Sequence, residues 1–298
     1  MLTIFCALYG EAKGIIRSFQ LKKETGRTHF QVFSEEQAAI RLVITETGPV
    51  AAASAVAEIS ALYPPKETDL FLNFGVCGAE KNIAPGKIYL CHKLTEACSG
   101  RTFYPDMLYS HPFEEAELIS VPAVLSSREL EQYLSEKSGD EEGIDSAPCL
   151  FDMEAAAIYQ AGNYSYGPQQ MFFLKVVSDH GMKSGEEEIS LCEVLQEAEA
   201  KVCAYVRFLG TISEEQEQSL AQRDDSRKLV EEEAEKLGEE LKGSVVMHQQ
   251  LIQLLWYWKL TGVDYEGLIA DLRRQGRLPV KDKREGKRIL EELKGQVV

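Results

Sequence analysis

Two short apolar segments, each followed by a carboxylate, constrain the fold of this chain most strongly. Segment 149–151 (CLF) precedes Glu154 and an alanine-rich helix opening, and segment 172–177 (FFLKVV) precedes Asp179. Both segments have the length and composition of buried strands. Because ligands bind at the carboxyl ends of the strands in an open α/β sheet, Glu154 and Asp179 are predicted to lie in one crevice. Two carboxylates in one crevice suit a sugar hydroxyl pair and a basic ring nitrogen.

Strands and helices alternate through the first 210 residues. Apolar runs predict strands, and stretches with helical periodicity or a high alanine content predict helices. The predicted strands are 2–8, 30–33, 39–45, 70–74, 87–92 and 118–125, and the predicted helices are 11–19, 50–62, 127–143 and 186–209. This alternation indicates an α/β fold with a mixed, twisted central sheet flanked by helices.

The composition of the chain changes near the GTIS segment 210–213. Beyond it the sequence predicts only helices, at 213–241, 245–260, 265–274 and 284–294. We therefore predict two domains, 1–211 and an all-helical C-terminal domain of 212–298. The strongly apolar helix 245–260 is predicted either to form the centre of a helical bundle or, in addition, to dock on another subunit or a partner protein.

Charge and cysteine usage exclude several classes of protein. The net charge of −16, from 48 acidic and 32 basic residues, argues against general nucleic-acid binding, which needs a basic face. The seven cysteines include no CxxC pair, so we predict neither a metal nor a cofactor. The N-terminus lacks signal-peptide features, and no apolar run reaches the about 18 residues of a membrane span. These features predict a cytoplasmic protein with reduced thiols that binds no membrane.

Two motifs resemble those of a known superfamily. The sequence DMEAAAI at 152–158, followed by VVSD at 176–179, resembles the purine nucleoside phosphorylase/uridine phosphorylase superfamily. Within it, residues 1–210 are most similar to the 5′-methylthioadenosine/S-adenosylhomocysteine nucleosidases. The resemblance implies that Met153 and Glu154 hold the ribose of a nucleoside. The Asp after the second strand, Asp179, would protonate the purine as it leaves.

Each of these residues also fits a purely structural role. Asp179 suits a turn or a helix N-cap, Glu154 suits the first turn of a helix, and Met153 suits the core. The catalytic role of Asp179 requires a raised pKa, which burial after an apolar strand would provide. Ser178, beside Asp179, is assigned with it to the substrate-binding set. Asp152 occupies a position that is Glu in close relatives.

An N-terminal glutamate is the candidate base. The segment 7–16 (ALYGEAKGII) resembles the N-terminal segment of the family, in which a Glu follows the first strand by a few residues. The resemblance implies that Glu11 activates the attacking water. On the residues alone, Glu11 equally fits an acid at a helix N-terminus.

A glycine-rich segment bears on the choice between water and phosphate. The sequence NFGVCGA at 73–79 resembles the superfamily's glycine-rich loop, which assigns Val76, Cys77 and Gly78 to substrate binding; a simple tight turn is the alternative. Phosphorylases carry an Arg before this loop and a Ser or Thr inside it, whereas this chain has Leu72-Asn73 and Val76. Hydrolysis is therefore favoured, although Val76 also departs from the Ser of the nucleosidases.

The aromatic segment 98–113 is predicted to be an irregular loop. In related nucleosidases this region covers the substrate, partly from a neighbouring subunit. The resemblance therefore implies that Phe103 and Tyr104 line the pocket and that the chain forms a homodimer. A packed connecting loop is the alternative. His180 titrates near neutrality but is predicted to be a surface or loop residue.

These expectations combine into one functional hypothesis. The chain is predicted to be a nucleosidase that cleaves the N-glycosidic bond of a purine nucleoside resembling methylthioadenosine or adenosylhomocysteine. The alternatives are a phosphorolytic nucleoside phosphorylase and a non-catalytic nucleoside-binding or regulatory protein.

Overall fold

In the computed structural model, the described residues are 1–26, 28–35, 37, 39–80, 82–123, 147–179 and 191–295. The predicted helix 127–143 and His180 lie outside them. The chain divides into two units, Met1–Gln216 and Glu217–Val298. From the sequence, the boundary was expected between residues 211 and 212.

The described part of the first unit contains one mixed sheet. Its strands are β1 (Leu2–Cys6), β2 (Lys22–Lys23), β3 (Gln31–Glu35), β4 (Ile40–Ile44), β5 (Leu70–Ala79), β6 (Ile88–Glu96), β7 (Thr102–Phe103), β8 (Glu114–Ser120), β9 (Cys149–Asp152) and β10 (Met171–Asp179). The helices are α1 (Tyr9–Ser18), α2 (Pro49–Leu62), α3 (Ala155–Gly162) and α4 (Leu191–Glu240), with a 3-10 turn at Pro168–Gln170.

Part of this sheet closes on itself. Strand β5 pairs in parallel with β1 and β10, and near its carboxyl end it also pairs antiparallel with β9. Strand β10 pairs antiparallel with β6, β6 pairs in parallel with β8, and β8 pairs in parallel with β9. Strands β5, β10, β6, β8 and β9 therefore form a ring, with β1, β4, β3 and β2 extending from it. The predicted mixed sheet is confirmed, and five of its strands close into a ring.

The glycine-rich segment is a strand and not a loop. Strand β5 continues to Ala79 instead of ending at Phe74, and neither Gly75 nor Gly78 has a positive φ. The segment was expected to be a loop or a tight turn, and it is a strand because it keeps its pairing with β10. Gly75 allows the Glu11 side chain to lie close to the β5 backbone, since a Cβ at this position would lie 3.0 Å from Oε1 of Glu11.

Two apolar layers cover the two faces of the sheet. One contains Ile15 of α1 and Val202 of α4, and the other contains Val56 of α2 and Ile158 of α3. This three-layer arrangement follows from the apolar faces of the helices, which must be buried against the strands. It leaves the ends of the strands available for polar groups.

Helix α4 runs through Gly210 without a break. The predicted interruption at 210–213 was wrong, because a single glycine inside a helix costs only about 1 kcal/mol relative to alanine. Ser213 is buried in the first unit, where its hydroxyl donates to the carbonyl oxygen of Thr68 and accepts from the N-terminal amine.

The second unit is the predicted all-helical region. It contains the end of α4, then α5 (Val245–Thr261), α6 (Tyr265–Arg274) and α7 (Lys283–Lys294), which share one apolar core. Trp258 is fully buried in this core, whereas Trp256 is only partly buried. Gly262 ends α5 in the left-handed conformation with φ 75°, as expected for a helix C-terminus. Within the described residues, every helix is too short or too polar to cross a membrane.

Candidate active site

A cavity of about 250 Å³ lies at the carboxyl ends of β1, β5, β9 and β10. Glu11, Val76, Cys77, Gly78, Met153, Glu154, Ser178 and Asp179, all assigned to the site from the sequence, line it together with Ala7, Leu8, Thr47, Val121, Phe151 and Asp152. These residues come from six separate parts of the chain. The tertiary structure thus brings together most of the residues that the sequence motifs singled out.

Glu11 reaches the cavity because α1 begins directly after β1. Its Oε2 accepts a hydrogen bond from the backbone N–H of Leu8 at 2.8 Å, and its Oε1 accepts from that of Val76 at 2.9 Å. The side chain is buried, and this burial raises the pKa of Glu11, although both backbone bonds oppose the rise. Glu11 therefore caps its own helix and also presents a carboxylate to the cavity.

Glu154 precedes the first residue of α3 but makes no capping hydrogen bond to it. Its Oε1 accepts from the backbone N–H of Gly48 at 2.7 Å. Gly48 has φ 96°, a conformation that favours glycine, and this directs its N–H to the carboxylate. Burial raises the pKa of Glu154, and the nearby Asp152 carboxylate raises it further. A first-turn capping role therefore does not explain Glu154.

Asp179 and Ser178 both line the cavity although they are consecutive. Side chains normally alternate between the two faces of a strand, but the register of β10 against β5 shifts between Val177 and Asp179. Such a bulge re-aims side chains at the end of a strand. Oγ of Ser178 lies 2.6 Å from Oδ2 of Asp179, to which it can donate a hydrogen bond. Asp179 is exposed among the described residues, so the burial that was predicted for it is not seen.

Lys175 was missed from the sequence. It lies in the middle of β10, its side chain is 2% exposed, and its Nζ is 2.9 Å from Oδ2 of Asp152. Burial alone would lower the pKa of Lys175, but the Asp152 carboxylate more than offsets this and the pKa is raised. The available signal was a single charged residue inside the apolar run FFLKVV, since lysine is almost never fully buried unless it is paired.

The cavity is strongly acidic. Four carboxylates line it, those of Glu11, Asp152, Glu154 and Asp179, and its described lining includes no Lys, Arg or His. Across the described parts of the chain, no group of three or more His, Cys, Asp or Glu side chains could hold a metal ion. An arrangement of this kind repels anions and favours a ligand that is positively charged or becomes so.

Phe103 and Tyr104 do not line the cavity within this chain. Phe103 lies in β7, and its ring stacks on that of Tyr159 with centroids 5.1 Å apart. Tyr104 is 60% exposed. Their assignment to the pocket involved a neighbouring subunit and stays a prediction.

Known proteins resemble this chain in fold. No family model and no curated protein matches its sequence. The 5′-methylthioadenosine/S-adenosylhomocysteine nucleosidase of Neisseria meningitidis, solved with methylthio-immucillin-A, matches with a TM-score of 0.54 and 18% identity over 72% of this chain and 98% of that chain. The 5′-methylthioadenosine nucleosidase of Arabidopsis thaliana matches with a TM-score of 0.57 and 18% identity, over 70% and 95%.

A third nucleosidase, from S. pneumoniae with the inhibitor MT-ImmA, matches with a TM-score of 0.54 and 14% identity, over 70% of this chain and 98% of that chain. The chain has the nucleoside phosphorylase fold. The matches cover these nucleosidases almost completely but leave more than a quarter of this chain without a counterpart. The nucleoside phosphorylase fold is therefore only part of this protein.

Proposed function

We propose that this protein hydrolyses the N-glycosidic bond of a purine nucleoside with an apolar 5′ substituent. The observation that carries the proposal is the convergence of Glu11, Glu154 and Asp179 on one cavity, in a chain with the fold of nucleosidases. The similar enzymes include one solved with 5′-methylthioadenosine in its active site and one solved with adenine. A nucleoside of that kind is therefore the proposed substrate.

Asp179 is the proposed acid for the leaving base. Protonating a ring nitrogen makes the purine a better leaving group, and a positioned carboxylic acid can do this. The hydrogen bond from Ser178 orients the Asp179 carboxyl group at 2.6 Å.

Glu154 is the proposed ribose ligand. Its carboxylate accepts hydrogen bonds from the two ribose hydroxyls, while Met153 packs against the sugar. As the bond to the base breaks, the sugar gains oxocarbenium character, and nearby carboxylates stabilise that positive charge.

Glu11 is the proposed base for water. Its carboxylate has about four acceptor sites, which the backbone amides of Leu8, Val76 and Ala7 occupy only in part. The remaining sites can take a proton from a water that attacks the anomeric carbon. This step requires Glu11 in its ionised form.

The acidic lining favours water over phosphate as the nucleophile. A phosphate dianion needs basic side chains or a nest of free backbone N–H groups. The described lining carries no basic residue, and the N–H of Val76 already donates to Glu11. Phosphorolysis is therefore the less favoured reaction.

The proposed assembly is a homodimer. A surface groove between α2 and α3 is lined largely by small residues, and Val50 and Tyr164 beside it are 79% and 93% exposed. These exposed apolar groups support burial against a second copy.

A protein partner is proposed for the second unit, because the apolar side chains of Val245 and Leu260 are exposed there.

Product analysis tests the reaction. The protein is incubated with 5′-methylthioadenosine, S-adenosylhomocysteine and adenosine, with and without inorganic phosphate, and free base is measured by chromatography. We expect base release that does not depend on phosphate. A strict phosphate requirement with a sugar phosphate as product would identify a phosphorylase. Binding without base release would identify a nucleoside-binding protein.

A further inference from the structure

A buried ion pair beneath the cavity joins three strands and a helix. Lys175 of β10 and Asp152 of β9 are 2.9 Å apart, and their side chains are 2% and 1% exposed. Oδ1 of Asp152 also accepts from the hydroxyl of Ser120 of β8 at 2.6 Å. Because a buried charge pair is costly to desolvate, its presence in an otherwise apolar core calls for a reason other than stability.

The ion pair takes over the capping of α3. Oδ2 of Asp152 accepts from the backbone N–H of Ala155 at 2.9 Å, and Oγ of Ser120 accepts from that of Ala156 at 2.9 Å. Two N–H groups at the start of α3 are thus satisfied without Glu154, the residue that would normally supply a cap. The Glu154 carboxylate is consequently left to face the cavity.

The charge of Lys175 also acts on two of the proposed reacting groups. It lowers the pKa of Glu11 and of Glu154, against the rise that burial causes in both. The charge of Lys175 also acts on the thiols of Cys6, Cys77 and Cys91, against the rise in pKa that their burial causes. Burial raises the pKa of each thiol, so they carry no charge in the acid range. The net charge around the cavity is therefore set by Lys175 and the surrounding carboxylates.

We propose that Lys175 is a positioning residue for the proposed hydrolysis: through Asp152 it fixes the turn that carries Met153 and Glu154. This role rests on the proposed function. Lys175 itself touches no substrate, since it lies beneath the cavity and not in its lining.

Opposite shifts of the pH profile test this role. Lys175→Met removes the cation, which should raise the pKa of the nearby carboxylates. The acid limb of the profile, the range in which kcat/KM falls as the pH is lowered, therefore moves to higher pH. The displaced turn should also lower kcat/KM at neutral pH on the order of 100-fold, as expected for a small misplacement of a substrate-holding group. Asp152→Asn removes an anion beside Glu154, so the acid limb moves to lower pH. Lys175→Arg keeps the charge and should restore the position of the limb.

Matched controls separate this role from simple loss of folding. Lys93→Met breaks the 3.2 Å pair with Glu117 between β6 and β8, outside the cavity, and should keep the normal profile. If Lys175→Met does not fold, as circular dichroism would reveal, the double variant Lys175→Met/Asp152→Asn removes both buried charges. That variant should fold and show a reduced kcat/KM. The pH at which its kcat/KM falls on the acid side should lie between the values of the two single variants.

The same variants distinguish this role from the proposed reaction. If the unmodified protein binds 5′-methylthioadenosine without releasing base, the hydrolysis fails, and the pH dependence of binding measured by calorimetry should show the same opposite shifts. Unchanged kcat/KM and an unchanged acid limb in folded Lys175→Met would overturn the role of Lys175 alone. Absence of both binding and hydrolysis in the unmodified protein would overturn both.

Discussion

The two units of this chain bury different kinds of side chains. The first unit encloses Glu11, Asp152 and Lys175 within an apolar core. In the second unit, the buried residues among those described are aliphatic, aromatic, methionine or glycine, and none carries a charge. The core of the second unit is the one expected when burial serves stability alone.

This difference supports the proposed place of the active site in the first unit. Removing a charged group from water costs several kcal/mol unless it is paired and hydrogen-bonded, so buried charges persist where their geometry has a use. All the buried charges described lie in or beneath the cavity of the first unit. The second unit, with its uniform core, fits a role in assembly or interaction.

The largest expected effect concerns Asp179. Asp179→Asn removes the proposed acid and should lower kcat/KM by about 10²–10⁴-fold, the usual worth of general acid catalysis. Asp224→Asn, at an exposed position of the second unit, is the control and should leave the rate unchanged. Initial rates of base release measure both. Full activity in Asp179→Asn would remove the central assignment of the site.

Trp258→Ala probes the uniform core of the second unit. Because Trp258 is fully buried, its truncation should lower the free energy of unfolding of that unit by about 3–5 kcal/mol. Trp256→Ala is the matched control at a partly buried position and should lower the free energy of unfolding by less than Trp258→Ala does. The chain has two tryptophans, both in this unit, so the one that remains reports denaturant unfolding by fluorescence. Loss of bond cleavage while the first unit stays folded would contradict the proposed division of labour.

Truncation sharpens the boundary between the units. A chain of residues 1–216 should keep its activity, because the cavity and both apolar layers lie within the first unit. Ending the chain at residue 212 removes Ser213 and its bonds to the N-terminal amine and to Thr68, which should cost about 1–3 kcal/mol of unfolding free energy. Thermal melting and base release are compared for the two truncations. An inactive but folded 1–216 chain would assign part of the site to the helical unit.

The smallest expected effect is on the acid side of the pH profile. Burial raises the pKa of Glu11, and the proposed mechanism needs its ionised form. As the pH falls through that raised pKa, Glu11 takes up a proton and kcat/KM declines. The decline should therefore begin above the pH of about 4.3 at which an ordinary glutamate titrates. A rate that stays constant down to that pH would argue against Glu11 as the base.

Local sequence patterns were sufficient for much of the fold. The strands and helices of the first unit and the helices of the second largely follow the predicted segments, because periodicity and composition are properties of neighbouring residues. Glu154 and Asp179 each follow a recognisable apolar strand, and both line the same cavity. Their roles, and those of Glu11 and Met153, stay predictions that the experiments above test.

Features that depend on distant partners were not accessible in this way. The ring of five strands, the continuation of β5 through its glycines and the uninterrupted α4 depend on which segments pair or pack together. Lys175 was missed although it is a single charge in an apolar strand, and its role depends on Asp152, which lies 23 positions earlier in the chain and 2.9 Å away in space. A sequence records which charges a chain carries. Whether a buried charge is paired, and what that pair holds in place, depends on contacts that form only when the strands assemble.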